Sequence, residues 1–132
     1  MKHVKAFTLI ELMVVILIVG VLAAASVPLM RGRVESAKWA EAHATAGTIR
    51  SAVRVRFAET GSADGLIGAL SNNARRTALG FTEEDLKGTY FSAGDYRILA
   101  VDENGIATVR VTGSQSNAPS GTRTLSADGS WQ

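Results

Sequence analysis

Cysteine is absent from this chain, which excludes disulfide staples, thiolate metal sites and covalent haem attachment. Histidine is scarce, and His3 and His43 stand too far apart in sequence to form a ligand pattern. No glycine-rich phosphate loop, nucleophile elbow or histidine–carboxylate metal motif occurs. The residues therefore point away from an enzyme and call for no cofactor. Aromatics are few enough that Trp39, Phe57, Phe81, Tyr90, Phe91, Tyr96 and Trp131 are read as core or interface residues. Charge is missing where its absence matters most: between residues 7 and 30 the only charged side chain is Glu11.

What is present in that interval is a run of 24 mainly apolar residues. At ~1.5 Å per helical residue it reaches about 36 Å, enough to cross a hydrocarbon core of ~30 Å. It is apolar all the way round, so as a helix it has to be covered on every side by lipid or by protein. Gly20, Ala23, Ala24, Ala25 and Ser26 are small and let such helices approach closely. Pro28 lacks an N–H and its ring crowds the Ala24 carbonyl, so a kink or local break is expected there. An ordinary secretory signal would have a shorter apolar region and no internal carboxylate.

The net charge of +2 comes from the leader: without Lys2 and Lys5 the chain holds 12 basic and 12 acidic side chains. That balance is polarised. Residues 31–59 are mainly basic (Arg31, Arg33, Lys38, Arg50, Arg54, Arg56), and residues 83–103 mainly acidic (Glu83, Glu84, Asp85, Asp95, Asp102, Glu103). Solvated faces are one reading; charge-complementary contact between copies of the chain is the other. Arg75-Arg76 is a basic pair suited to DNA or anionic lipid but equally ordinary as solvated surface, and no specific nucleic-acid partner is expected. Asp102-Glu103-Asn104 carries oxygens of the kind a hard cation such as calcium takes, with Asp102 and Asn104 the candidate ligands. Such a triplet is more commonly just a turn.

The pattern beyond residue 30 predicts an α+β arrangement. Ala42, Ala46, Ile49, Val53 and Phe57 recur on one helical face, so residues 31–60 form an amphipathic helix half ending near Gly61. Residues 61–88 read as a loop with room for a short helix, and Thr82 reads as the cap of a helical turn running into Asp85 and Leu86. Residues 89–132 read as a small antiparallel sheet: strands at 96–101 and 106–111 flank Asp102-Glu103-Asn104-Gly105, whose Asn-Gly is a hairpin signal. A third strand at 121–125 precedes a turn at Asp128-Gly129.

Read together, Lys5-Ala6-Phe7-Thr8-Leu9-Ile10-Glu11, the apolar run, Gly20 and Pro28 closely resemble the N-terminus of type IV pilins and their relatives, including the pseudopilins of type II secretion. The resemblance implies a long N-terminal helix, partly transmembrane, packed on a small antiparallel sheet. It implies a leader at residues 1–6, cut between Ala6 and Phe7 by prepilin peptidase, and N-methylation of Phe7. Glu11 would pair during assembly with the freed amine of Phe7 on a neighbouring subunit. Gly20 and Pro28 belong to the same assembly helix, residues 7–30, with Pro28 marking where it loosens in the filament. A globular pilin domain would follow at 31–132. The partners implied are identical or related subunits, the peptidase, inner-membrane assembly machinery and the membrane itself. The precursor would sit in a bacterial inner membrane, and the product would be an extracellular pilus or, alternatively, a short periplasmic pseudopilus that drives export.

Overall fold

The computed structural model describes Lys2 and residues 5–132, so His3 lies outside the described residues. Two compact units divide the chain, Met1–Ser36 and Ala37–Gln132. Helix α1 runs Leu9–Thr60 and contains Pro28 in its interior. Helical structure is thus unbroken where a break was one of the expectations. A proline removes a single i→i−4 hydrogen bond; here that bond would have gone to the Ala24 carbonyl. Just before it, the Ser26 hydroxyl donates to the Leu22 carbonyl (2.8 Å), a local back-bond that tends to bend helices.

The second unit is built on a four-stranded antiparallel sheet in the order β1-β2-β3-β4, with β1 at Gly68–Ala69, β2 at Tyr96–Val101, β3 at Ala107–Thr112 and β4 at Thr122–Leu125. Alternation decides its inner face: Tyr96, Ile98, Ala107, Val109 and Val111 are buried while Arg97 and Arg110 point out. Onto that face α1 lays Trp39, Ala42, Ala46, Ile49 and Val53. The alanines let the helix backbone come close, and the larger side chains fill the rest of the layer. Burying each of the larger ones stabilises the fold by roughly 1.5–3 kcal/mol. Phe57, the last residue of the predicted stripe, is half-buried. The arrangement is α+β, a long helix whose second half covers an antiparallel sheet.

One expectation changes and another gains detail. Residues 66–80 are more ordered than a loop: β1 pairs with β2 (Gly68 with Ile98, Ala69 with Arg97), and α2 spans Asn73–Ala78 with Asn72 as its side-chain cap. The β2–β3 hairpin forms where it was expected, and its connection is not the shortest, two-residue kind. Only Gly105 has a positive φ (+75°) there; Asn104 does not. Instead the Gly105 N–H donates to the Asp102 carbonyl (3.0 Å), and Gly105 follows as a left-handed residue, the longer hairpin that combines a type I turn with a bulge. A side chain at Gly105 would also run into the Phe57 ring.

Candidate functional site: the start of the long helix

Ala6, Phe7 and Thr8 lie outside the helix and are exposed, Phe7 at 82%. The helix starts at Leu9 because Thr8 and Glu11 cap it reciprocally. The Glu11 carboxylate oxygen Oε2 accepts from the Thr8 N–H (2.7 Å) and from the Thr8 hydroxyl (2.9 Å), and the Glu11 N–H donates back to the Thr8 hydroxyl (3.4 Å). This is the capping box, Thr-x-x-Glu, which satisfies N–H groups that no helical carbonyl can reach. The signal was legible in Thr8-Leu9-Ile10-Glu11, yet the sequence reading assigned a capping role only to Thr82. Among the described residues Oε1 of Glu11 accepts no hydrogen bond. One oxygen fixes the helix start while the other remains available to a cation.

Beyond that cap the surface is uniformly apolar and uncovered. Leu9, Ile10, Ile16, Leu17, Val21, Leu22, Leu29 and Met30 are all more than 60% exposed, and none of the apolar window is buried within the chain. By length and composition the helix can cross a membrane. Gly20 sits in a shallow apolar groove of about 540 Å³ lined by Met13, Ile16, Leu17, Val21 and Ala24. A Cβ at Gly20 would meet nothing within 4 Å. Glycine inside a helix is unfavourable by about 1 kcal/mol relative to alanine, and no contact within the chain requires it.

The other candidates fall elsewhere, in the second unit. The Asp102 carboxylate accepts from the N–H groups of Asn104 (2.9 Å) and Ile106 (2.8 Å), which makes it a turn-forming side chain. Asn104 is exposed beside it. No group of three or more histidine or carboxylate side chains able to hold a metal occurs among the described residues. The basic pair is not solvated surface. Arg76 is 5% exposed and donates to the carbonyls of Leu70 (2.8 Å) and Ser71 (2.7 Å), with Glu83 at 3.3 Å. Arg75 donates to the carbonyls of Gly65 (3.0 Å) and Ala69 (2.6 Å). Both arginines are committed to organising the loop that carries β1, because a guanidinium can satisfy several carbonyls that no strand pairs.

Much of the polarised charge is likewise spent inside the second unit. Glu41 accepts from the backbone N–H groups of Thr89, Tyr90 and Phe91 (3.0, 2.9 and 3.1 Å). Lys38 donates to the Asn117 carbonyl (2.8 Å), and Arg50 donates to the Ala127 carbonyl. Buried Asp95 accepts from Ser92 and Ser114. Hydrogen bonds from Thr82 hold the Asp85 carboxyl below the usual carboxylate range, and those from Ser130 do the same for Asp128. Burial pushes the Tyr96 phenol up to about 12.

Comparison with known families adds to this geometry at one place, the capped helix start. Residues 1–27 match the family model described as the prokaryotic N-terminal methylation motif. This is the class III prepilin signal of type IV pilins and pseudopilins, and the chain carries it. No solved structure matches the chain.

Proposed function

We propose that this chain is a structural subunit of a type IV pilus, inserted first in the bacterial inner membrane and then polymerised through residues 7–30 into an extracellular filament. The observation that carries the reading is the coincidence of the methylation motif with an apolar first half of α1 that none of the described residues covers and that holds one carboxylate up to residue 30. Cleavage between Ala6 and Phe7 acts on exposed, non-helical backbone and creates an amine at Phe7, the target of methylation. In a water-free bundle a carboxylate needs a cation, and the sequence offers none between that amine and Arg31. The Phe7 amine of a neighbouring subunit meets the free oxygen of Glu11. The Gly20 groove receives a neighbouring helix at close range, and Pro28 gives the helix a point of lower backbone bonding. Prepilin peptidase, sister subunits and the inner-membrane assembly machinery are the partners.

Mass spectrometry of the mature protein tests processing: the expected N-terminus is methylated Phe7, and a start at Ser26 overturns the reading. Glu11→Ala as sole subunit tests assembly. Leaving the neighbour's amine unpaired weakens each addition by on the order of 3–5 kcal/mol, more than about a hundredfold. Insertion and cleavage stay intact while filaments disappear. Unchanged filament yield refutes the role of Glu11, and a secretion defect without surface fibres redirects the reading to a pseudopilus.

A further inference from the structure

In the second unit, residues 126–132 fold back as a small hairpin along the outer edge of β4. Thr124 and Gln132 exchange N–H···O bonds (2.8 and 3.0 Å), and the Ser126 N–H donates to the Ser130 carbonyl (2.9 Å). The hairpin's one large side chain, Trp131, stacks on His43 of α1 with ring centroids 4.1 Å apart and 29° between planes. The third member is Arg123 of β4, whose Nη1 lies 3.3 Å from His43 Nε2 and whose guanidinium covers the Trp39 ring at 4.8 Å. An arginine can only donate, so His43 Nε2 is the acceptor and the imidazole is neutral with its proton on Nδ1.

We propose that this sandwich is an acid-sensitive latch: protonation of His43 abolishes its acceptor nitrogen, sets two cations face to face, and releases the hairpin from α1 and from the edge of β4. Arg123 is the one charged group placed to meet the imidazole among the described residues. The charges on α1 within about two turns of His43, and the one in the hairpin, are engaged elsewhere. On α1, Lys38 holds the Asn117 carbonyl, Glu41 the amides of residues 89–91, and Arg50 the Ala127 carbonyl. In the hairpin, Asp128 accepts from the N–H and hydroxyl of Ser130. No carboxylate among these is left to take the new proton's charge. Burial, and then the Arg123 charge, hold His43 below its ordinary value of 6.5. The folded state therefore binds that proton less readily than the unfolded chain. The latch has its full strength above about pH 6.5, loses it as pH falls, and is weakest below the folded-state value. Opening leaves the N–H and carbonyl of Thr124 unpaired, an open strand edge.

The test is amide hydrogen exchange by NMR on the full chain in detergent micelles, with protection at Thr124, Ser126 and Gln132 followed from about pH 7.5 to about pH 5. Protection at these three amides falls about tenfold on acidification, while amides of β2 and β3 hold theirs. In His43→Gln, which keeps an acceptor but does not titrate, protection stays level. His43→Phe, which keeps the stack, serves in its place if the first variant does not fold. Wild-type protection that is constant or rises on acidification, as an imidazolium strengthening its stack on Trp131 would cause, overturns the proposal. So does an equal decline in the non-titrating variant.

Discussion

At Glu41 a single carboxylate holds three successive backbone amides, those of Thr89, Tyr90 and Phe91, at 2.9–3.1 Å. Those amides belong to the connection leading into β2 and have no strand partners, so the carboxylate supplies what a ladder would otherwise provide. Gly88 completes the fit, since a Cβ there would collide with the Glu41 carboxylate. Glu41→Ala strands three donors, and the expected loss of stability is about 2–4 kcal/mol, read by chemical denaturation of the full chain in detergent. Glu41→Gln keeps one acceptor oxygen and loses roughly half as much. A change below about 0.5 kcal/mol for the alanine variant would show that water replaces the carboxylate at no loss. Nothing in the sequence could have revealed this role, because the partners lie 48 to 50 residues away and are backbone groups. Arg76 was opaque for the same reason: its partners are mainly carbonyls of a loop whose path no residue pattern specifies.

The same reciprocal device stands at the start of α1 and of two short 3₁₀ turns, Glu84–Leu86 and Ala93–Asp95: Thr8 with Glu11, Thr82 with Asp85, and Ser92 with Asp95. Each is a hydroxyl residue followed three positions later by an acid, a purely local grammar, and the Thr82 case was readable before any coordinates. Local patterns explain what was legible: the helical stripe Ala42–Ala46–Ile49–Val53, the alternation of β2 and β3, and the turn at Asp128-Gly129. What escaped needed tertiary context. Strand β1 is two residues long and exists because β2 offers an edge. The β2–β3 turn took its form from the Asp102 carboxylate and the Phe57 ring rather than from Asn104-Gly105 alone. At Pro28, the remaining helical bonds on either side kept α1 whole despite the missing N–H. The cap at Thr8 has its own consequence for α1. Thr8→Val removes the hydroxyl and weakens the helix start by about 1 kcal/mol, so amide exchange at residues 9–12 rises severalfold while the rest of α1 is unchanged. Because the Glu11 oxygen Oε2 loses its Thr8 hydroxyl partner as well, the same variant loosens the carboxylate's orientation. If exchange at residues 9–12 does not change, the box is not what starts the helix.

The division of the chain into Met1–Ser36 and Ala37–Gln132 separates two kinds of stability. Among the described residues the first unit has no core: its helix depends on surroundings that cover apolar residues from every side, such as lipid, detergent or other copies of the helix. The second unit has its own core, with Ala42, Ala46, Ile49, Val53, Leu70, Phe91, Ile98, Val109 and Val111 all fully buried. Its first core residue is Trp39, three positions past the dividing line. Without a disulfide, a unit of this size draws its stability from that core and from side chains such as Glu41, Arg76 and Asp95 that satisfy loop backbone. A fragment comprising residues 37–132 is therefore expected to be soluble without detergent and to unfold cooperatively, with a calorimetric enthalpy of about 60–80 kcal/mol near its midpoint. The full chain in aqueous buffer associates or precipitates, because its exposed apolar helix far exceeds what a soluble monomer tolerates. Dispersed amide resonances and a cooperative transition from the fragment support the division. A fragment that binds a hydrophobic dye and melts without a transition would mean that the core needs the preceding helix turns, or a neighbouring subunit, to close.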